Sequence, residues 1–436
     1  MQNVYVSLLA LIKLKLRATK KAEKLTKQLL KQESDGEALN KYQDEKLAAA
    51  IINAQRTPFY QNRVEACDKL ASFPYINKQD VLQQPLQFFN SQDEGKRFSG
   101  ATSGTTGSPL TIYQNLDSIE SERAFADRQR AWAGFKLGDK RAWIRGDLIV
   151  PLAQKIAPFW RFSSFENMIL LSSFHMTTSA LPLYIQAMVD YGVDVIQAYP
   201  SSIITLAKYL KHTDQFYPAK LKSILTSSES LSKEDKLLIE ERFKCPVFDW
   251  YGLFERVAAI ASCEQGKYHI LTDYSHVELL PAGEVNGKKR TEIVGTNFNN
   301  TLYPLIRYKT GDHVILSDEK HCLCGRAYPI IESIEGRVGD YLMGEDGQEI
   351  YILNHIPKGV SGLIATQFVQ KDFSEVTVLV VVDKQLFTSL ESNKLIDNTK
   401  ERLGQSIKVM IIEVDAIPRT KNGKVRQAIC EVSDHV

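Results

Sequence analysis

Short apolar runs alternate with helical segments in the middle of the chain, and this alternation restricts the fold more than any other feature. The runs cover residues 193–197, 221–225 and 246–251, and a helical pattern over 203–210 separates the first two. Strands that are separated by helices pair in parallel and are covered on both faces. The sequence therefore predicts a large α/β domain with mainly parallel sheets covered by helices.

Polar residues follow two of these runs, at 227–229 and 249–255. In parallel α/β sheets, ligands bind beyond the carboxyl ends of the strands. We therefore expect both stretches to border a binding site.

Beyond about residue 340 the pattern changes to a strand, a helix, a second strand and a basic turn, over 376–382, 386–403, 408–414 and 418–426. A segment of about one hundred residues is a normal size for a domain. The sequence therefore predicts a large domain over 1–338 and a small α+β domain over 339–436.

The first 35 residues are predicted to form a basic, amphipathic helical extension. In the helical pattern over 8–31, Leu8, Ile12 and Leu16 share one face, and lysines cover much of the remainder. Two interpretations fit this pattern: a helix on a membrane or partner surface, or a solvated helix packed on its own domain by its leucine stripe. We favour the second, because lysine-rich polar faces are common on surface helices.

Composition and charge exclude several classes of protein. A net charge of +2 over 436 residues argues against a general nucleic-acid-binding surface, and six cysteines in a chain of this length do not form a disulfide framework. The apolar stretch over 4–12 is too short to span a bilayer. We therefore expect a cytoplasmic protein in a reduced setting, without a nucleic-acid partner.

The stretch over 99–110 combines glycines with small hydroxylated residues. Successive backbone N–H groups in such a loop form a concave anion site, and the hydroxyl groups of Thr102, Ser103, Thr105 and Thr106 add donors. The loop lacks the Gly-Lys-Ser/Thr of a Walker P-loop, and a strand pattern at 111–113 follows it. The sequence predicts a triphosphate-binding loop between two strands, with an ordinary Ser/Gly/Thr linker as the alternative.

Four motifs occur in a fixed order: the loop at 102–109, residues 249–255, residues 308–312, and Gly336-Arg337 followed by Gly423-Lys424. In this order and spacing they resemble the adenylate-forming superfamily, which includes acyl- and aryl-CoA ligases, carrier-protein adenylation domains and luciferases. The segments at 58–60, 73–78 and 322–326 are most similar to its phenylacetate-CoA ligase-like branch.

The resemblance implies an ATP site that draws on all four motifs. The phosphates would bind Thr102, Ser103, Gly104, Thr105, Thr106 and Gly107, with Thr105 also among the catalytic residues. The remaining nucleotide contacts would come from Ser228, Glu229, Asp249, Trp250, Tyr251, Gly252, Asp312 and Arg337. In this arrangement Ser228 and Glu229 line the adenine, Tyr251 stacks on it, and Asp312 and Arg337 bind the ribose.

Two charged residues carry the chemistry that the resemblance implies. Glu255 would hold Mg²⁺, which prefers oxygen ligands. Lys424 would bridge the substrate carboxylate and the α-phosphate as the anhydride forms. In the family the small domain, with this lysine, acts as a mobile lid that rotates between the two half-reactions. The hinge would fall at Gly339.

The reaction implied is ATP-dependent formation of an acyl-adenylate and pyrophosphate, followed by transfer of the acyl group to the thiol of coenzyme A. The substrate would be an aryl or apolar carboxylic acid. Leu110 stands where many relatives have a lysine, and residues 343–350 match the branch poorly. The acceptor therefore stays open between coenzyme A, a carrier protein and an amine, and a non-catalytic nucleotide-binding relative is the alternative of another class.

Four residues have the chemistry of a structural zinc site: Cys263, His269, Cys322 and Cys324. Three thiolates and one imidazole fill a tetrahedral coordination sphere. The resemblance to the branch supports this interpretation, His321 is a competing ligand, and buried free cysteines are the alternative.

Overall fold

The computed structural model describes residues 2–64, 69–101, 110–285, 287–337, 341–350, 353, 356–420 and 422–432. Contacts divide the chain into two compact units. The first unit contains Met1–Ser7, Gly138–Val247 and Val338–Val436, and the second contains Leu8–Leu137 and Phe248–Arg337.

The described helices and strands follow one another along the whole chain. The α-helices are α1 Gln2–Arg17, α2 Lys20–Gln32, α3 Gly36–Ala54, α4 Pro58–Gln61, α5 Lys78–Gln83, α6 Leu116–Trp132, α7 Leu181–Tyr191, α8 Pro200–His212, α9 Lys233–Phe243 and α10 Ser389–Leu403. Short 3-10 helices cover Leu70–Ser72, Pro85–Phe88, Ser164–Glu166 and Ser173–His175. The strands are β1 Phe98–Ala101, β2 Thr111–Gln114, β3 Arg141–Ile144, β4 Trp160–Ser163, β5 Met168–Leu171, β6 Val195–Ala198, β7 Ser223–Ser227, β8 Val247–Gly252, β9 Ala259–Ser262, β10 Tyr268–Ile270, β11 Ser275–Val285, β12 Lys288–Asn297, β13 Tyr308–Leu316, β14 Ile330–Arg337, β15 Leu342–Met343, β16 Glu349–Ile350, β17 Leu363–Asp372, β18 Glu375–Val382, β19 Lys408–Glu413 and β20 Ala428–Cys430.

The first unit contains the parallel strands that the sequence predicts. Its strands lie in the order β7-β6-β3-β5-β4, and all neighbours are parallel except β4 and β5. Helices α7, α8 and α9 bury leucine, isoleucine and phenylalanine side chains in one core with these strands, including Leu206 and Phe243 of the helices and Ile224 of β7.

The carboxy-terminal part of the first unit has a sheet of its own, in the order β19-β18-β17-β20. Helix α10 packs Leu395 and Leu403 into a core with the valines of β18. The imidazole of His212, the last residue of α8, lies 3.1 Å from the carbonyl oxygen of Leu363 in β17. The small α+β fold predicted beyond residue 340 is therefore confirmed, whereas the domain boundary at 338 stays a prediction, because the contacts group residues 338–436 with 138–247.

The second unit is antiparallel. Strands β11-β12-β13-β14-β10-β9-β8 follow one another, with short connections that need no crossover helix. Strands β1 and β2 form a separate antiparallel pair, in which Ala101 is the partner of Thr111. The predicted loop thus joins strand to strand, as expected. Together the two units have the α/β fold predicted from the sequence, and among the described residues the parallel pairs β3–β5, β3–β6, β6–β7, β17–β20 and β18–β19 lie in the first unit.

The amino-terminal extension differs from its prediction. Two helices, α1 and α2, replace the single helix, and the side chain of Thr19 caps α2 by accepting a hydrogen bond from the N–H of Ala22. In α2, Leu25 and Leu29 have the same spacing of four residues, and Leu29 is fully buried, as expected for a helix that packs on its own domain. In α1, Leu8 and Ile12 are 51% and 58% exposed, so the interpretation that this stripe packs on its own domain is wrong. Across the described ranges, no helix combines the length and the apolar character that crossing a bilayer requires.

Candidate functional site

Strand β8 carries Asp249, Trp250 and Tyr251 to the edge where the sequence predicts a site. Asp249 is buried, its N–H donates to the hydroxyl of Ser262 at 2.7 Å, and its carboxylate accepts a hydrogen bond from Tyr268 at 3.0 Å. These contacts hold the end of β8 against its neighbours. Trp250 is half-buried, and Gly252 is exposed.

Tyr251 and Asp312 are hydrogen-bonded to each other, although 61 residues separate them in sequence. The Tyr251 hydroxyl donates to Oδ2 of Asp312 at 2.7 Å, and the N–H of Asp312 donates to the hydroxyl of Thr310 at 3.0 Å. Burial, and then the carboxylate of Asp312, raise the pKa of Tyr251 well above its ordinary value. The tyrosine therefore stays protonated and aims a donor at the aspartate. In the backbone, Asp312 of β13 is the register partner of Arg337 of β14.

Glu255 lies just after β8 and is almost fully buried. The hydroxyl of Tyr308 donates to its Oε1 at 3.3 Å, and the side-chain amide of Asn297 contacts its carbonyl oxygen at 3.5 Å. A buried carboxylate needs compensating donors or a cation. The carboxylate oxygens of Glu255 are the type of ligand that Mg²⁺ prefers in proteins.

In the first unit, Ser228 and Glu229 follow β7. Arg145 donates to the Ser228 hydroxyl at 2.7 Å, and the backbone of Ser228 is left-handed, with φ of 74°. The Glu229 carboxylate accepts two backbone hydrogen bonds, from Ser201 at 2.9 Å and from Val425 at 3.0 Å. Glu229, predicted to line the adenine, thus binds the residue next to Lys424.

Lys424 lies in a compact turn of the same unit. The N–H of Thr420 donates to the carbonyl oxygen of Lys424 at 2.9 Å, and the N–H of Lys424 donates to the Thr420 hydroxyl at 3.2 Å. Arg419 donates to the carbonyl oxygen of Gly423 at 2.8 Å and to the hydroxyl of Ser201 at 3.2 Å. Burial lowers the pKa of Arg419, and the carboxylate of Glu229 opposes this shift.

The turn approaches the body of the first unit backbone to backbone. Gly423 has φ of 71°, which glycine adopts without strain, and its Cα lies against Gly146. The Tyr199 hydroxyl donates to the carbonyl oxygen of Asn422 at 3.2 Å. A Cβ added at Gly146 would overlap that same oxygen. The position of Lys424 therefore depends on a glycine 278 residues earlier in the chain.

Several predicted site residues lie outside the described residues. These are the loop residues Thr102, Ser103, Gly104, Thr105, Thr106 and Gly107, and the hinge residue Gly339. Arg337 is described through its backbone alone.

The predicted zinc ligands converge within the second unit. The ligand atoms of Cys263, His269, Cys322 and Cys324 all lie within 4.8 Å of one another. The Sγ atoms of Cys263 and Cys322 are 3.7 Å apart, and Sγ of Cys324 lies 3.5 Å from Nε2 of His269. Tetrahedral zinc with bonds of about 2.3 Å to sulfur and 2.0 Å to nitrogen separates its ligands by about 3.5–3.8 Å. The four residues therefore fit a zinc ion.

The other ring nitrogen of His269 supports this arrangement. Its Nδ1 lies 3.4 Å from the carbonyl oxygen of Tyr328, which fixes the ring with Nε2 towards the cysteines. The ligands come from the turn after β9, from β10 and from the connection before β14. A bound ion would join these three segments.

Sequence reasoning missed the residues that hold the Lys424 turn, which are Gly146, Tyr199, Ser201 and Arg419. Arg419 lies in the basic turn over 418–426 that the sequence analysis identified, so its closeness to Lys424 in sequence could have indicated its role. Gly146 and Tyr199 belong to loops after parallel strands, and no local pattern connects either of them to residue 422.

Comparison with known proteins gives matches over most of the chain. A model of the CapK C-terminal domain matches residues 342–431. Protein CapK of Staphylococcus aureus is 27% identical over an alignment of 362 residues that covers 82% of this chain and 79% of that protein. Phenylacetate-coenzyme A ligase of Thermus thermophilus is 24% identical over an alignment of 443 residues, gaps included, that covers 90% of this chain and 96% of that enzyme.

Among solved structures, the fold is similar to that of 2-hydroxyisobutyryl-CoA ligase in the postadenylation state in complex with R3-HIB-AMP. The TM-score is 0.63 at 18% identity, with 91% of this chain and 89% of that chain covered. The fold is that of an adenylate-forming enzyme. In sequence the chain is similar to phenylacetate-coenzyme A ligases, at 24–25% identity over 70–90% of its length, and this similarity supports the phenylacetate-CoA ligase-like branch of the adenylate-forming superfamily.

Proposed function

We propose that the protein is an AMP-forming ligase that activates a carboxylic acid with ATP and transfers the acyl group to the thiol of coenzyme A. The observation that carries the proposal is the hydrogen bond between Tyr251 and Asp312, with the buried carboxylate of Glu255 in the same unit. This bond fixes one carboxylate oxygen of Asp312. A carboxylate held in this way suits two adjacent ribose hydroxyl groups as an acceptor.

In the first half-reaction the substrate carboxylate attacks the α-phosphorus of ATP, and the bond to pyrophosphate breaks. Both reactants are anionic, so the reaction needs positioning and compensation of charge. We assign the ribose to Asp312 and Arg337, the adenine to Tyr251 and Ser228, and the phosphates to the loop at 102–107. Lys424 compensates the charge that develops between the carboxylate and the α-phosphate.

In the second half-reaction the sulfur of coenzyme A attacks the acyl carbon of the adenylate and AMP leaves. The similarity to the phenylacetate-coenzyme A ligases of Pseudomonas putida and Thermus thermophilus, whose names include coenzyme A, supports coenzyme A as the acceptor. We propose an aryl or apolar acid as the substrate, since Trp250 and Tyr251 at the end of β8 and Phe254 just after it offer aromatic surface.

The carboxy-terminal match favours a second acceptor. Residues 342–431 match the CapK C-terminal domain, and residues 343–350 depart from the phenylacetate-CoA ligase pattern. In the superfamily this part of the chain changes position between the half-reactions. A protein with the same adenylation step that passes the acyl group to a carrier protein or an amine is therefore the second candidate.

Two metal ions belong to the proposal. Glu255 would hold Mg²⁺, directly or through water, and the ion would supply positive charge at the phosphates. Cys263, His269, Cys322 and Cys324 would hold a structural Zn²⁺, because four protein ligands leave no open position for catalysis.

The test is carboxylate-dependent exchange of pyrophosphate into ATP, screened over aryl, fatty and amino acids. One acid should support exchange, and Lys424→Ala should abolish exchange while still converting added acyl-adenylate into product. Lys384→Ala, which changes an exposed lysine of the same part of the chain, should behave as wild type. If no acid supports exchange in folded, ATP-binding protein, the protein is a non-catalytic relative.

The acceptor is tested separately, with the acid identified by the exchange assay. Release of AMP together with a thioester on addition of coenzyme A supports the ligase. Accumulation of the adenylate in the presence of coenzyme A supports the second candidate.

A further inference from the structure

We propose that helix α1 docks this protein on an anionic lipid surface. The observation is an oblique line of aliphatic side chains that the fold leaves in solvent. Val4, Leu8, Ile12 and Leu16 are 62%, 51%, 58% and 45% exposed. Their spacing of four residues places them in one continuous row over about 18 Å, which winds around the helix by about 40° at each step.

The opposite side of α1 is the side that contacts protein. Asn3 accepts a hydrogen bond from the N–H of Phe162 at 3.2 Å, and Ser7 accepts one from the N–H of Ser164 at 3.1 Å. Ser7 and Ala10 are buried. At 100° per residue, positions 3, 7 and 10 lie about 150° around the helix from the centre of the aliphatic line. The helix is therefore attached by one side and presents the other.

The net charge of the residues around this aliphatic line indicates which kind of surface α1 binds. Residues 1–31 contain eight lysines and arginines and one glutamate, a net charge of +7. The other 405 residues contain 46 basic and 51 acidic residues, a net charge of −5. The net positive charge of the protein therefore comes entirely from residues 1–31, which form α1 and α2 next to the exposed aliphatic side chains.

The positions of these charges fit the same surface. Lys15 and Arg17 are exposed in the last turn of α1, and Lys20, Lys24 and Lys31 are exposed on α2. Lys21 and Lys27 contribute less, because they form ion pairs with Asp117 and Glu23. An aliphatic face flanked by lysines inserts into the boundary between headgroups and acyl chains, and anionic lipid strengthens its binding.

A bilayer explains this face better than a second protein does. The aliphatic line consists of valine, leucine and isoleucine, which provide apolar area without polar groups to recognise a specific partner. The acidic excess of the remaining chain is small and spread over 405 residues, whereas anionic lipids present a dense, continuous negative charge.

The experiment measures binding of the full-length protein to vesicles by flotation. Neutral phosphatidylcholine vesicles are compared with vesicles that contain about one third phosphatidylglycerol. Wild type should bind the anionic vesicles at least about tenfold more tightly, and added salt should weaken this binding. The double variant Leu8→Gln/Ile12→Gln should lose binding by at least about tenfold.

Two further variants separate the contributions. Lys20→Glu/Lys24→Glu should abolish the preference for anionic vesicles. The matched control Leu137→Gln/Leu390→Gln changes two leucines that are 105% and 73% exposed elsewhere, and it should bind as wild type. Pyrophosphate exchange in solution should be the same in all three variants, so the result is independent of the proposed function.

Equal binding of wild type to both kinds of vesicle would overturn the proposal, as would undiminished binding of Leu8→Gln/Ile12→Gln. Sedimentation of the same proteins without lipid provides the third outcome. If wild type is a dimer that this variant dissociates, and if wild type does not bind vesicles, then a second copy of the chain covers α1 and the lipid proposal is wrong.

Discussion

Gly146→Ala is predicted to slow adenylation strongly, although Gly146 is not one of the residues assigned to ATP or to the substrate. Gly146 follows β3 and faces the turn that carries Lys424. A Cβ at this position would overlap the carbonyl oxygen of Asn422 and would lie 3.0 Å from the nitrogen of Gly423. Both atoms belong to the main chain, so no side-chain rotation relieves the overlap.

The size of the effect follows from the distance that the turn must move. Carbon and carbonyl oxygen atoms in contact normally stay at least about 3.3 Å apart, so the turn and Lys424 with it must withdraw by roughly 1 Å or more. A displacement of about 1 Å at a catalytic group costs on the order of 100-fold in rate. We therefore expect pyrophosphate exchange to fall about 100-fold.

The second half-reaction provides the internal comparison. Because the superfamily moves its small domain between the two steps, conversion of added acyl-adenylate should not need the contact between Gly146 and Asn422. It should stay within about threefold of wild type. Gly36→Ala is the matched control, since its Cβ would meet the Ala327 side chain at an ordinary 3.9 Å. Equal loss of both half-reactions in folded Gly146→Ala, or full exchange activity, would refute the reasoning.

Two further predictions concern the Glu229 contact and the metal site. The Glu229 carboxylate accepts two backbone hydrogen bonds, and in Glu229→Gln one of these N–H groups faces an amide NH₂ that cannot accept. Loss of this hydrogen bond should destabilise the position of the Lys424 turn by about 1.5 kcal/mol. We therefore expect kcat of adenylation to fall about tenfold. The KM for ATP should stay unchanged, whereas a rise in this KM with normal kcat would assign Glu229 to the adenine. Metal analysis should find about one zinc ion per chain, lost in Cys263→Ser and retained in Cys430→Ser. Chelation of the zinc should lower the unfolding temperature, and zinc-free wild type of unchanged stability would contradict the site.

Much of the fold was predictable because local patterns determine it. The run over 221–225 corresponds to β7 Ser223–Ser227, and the helical pattern over 203–210 lies inside α8 Pro200–His212. The antiparallel second unit was not predicted, since strands such as β9 and β10 have three or four residues and carry no clear alternation. Short strands buried on both faces give little periodic signal.

The candidate site was likewise predictable only in part. Sequence order predicted that Tyr251 and Asp312 belong to one site, and they are hydrogen-bonded. The cluster of Cys263, His269, Cys322 and Cys324 was found because its chemistry, three thiols and an imidazole, is typical of metal sites, and the side chains do converge. By contrast, Glu229 was assigned to the adenine by motif alone, and its two backbone hydrogen bonds, which depend on tertiary structure, give it a second role to test.

The amino-terminal helix shows why an amphipathic pattern does not decide whether its apolar face is buried or exposed. The aliphatic residues of α1 and the leucines of α2 have the same spacing, yet Leu29 is buried and Leu8 is exposed. Spacing determines which residues share a face, whereas contacts from the rest of the chain decide whether that face is covered. In α1 these contacts, through Asn3 and Ser7, fall on the side away from the aliphatic line. A helix attached by that side presents the aliphatic line outwards, and this orientation, rather than the pattern itself, is the reason to look for a lipid surface.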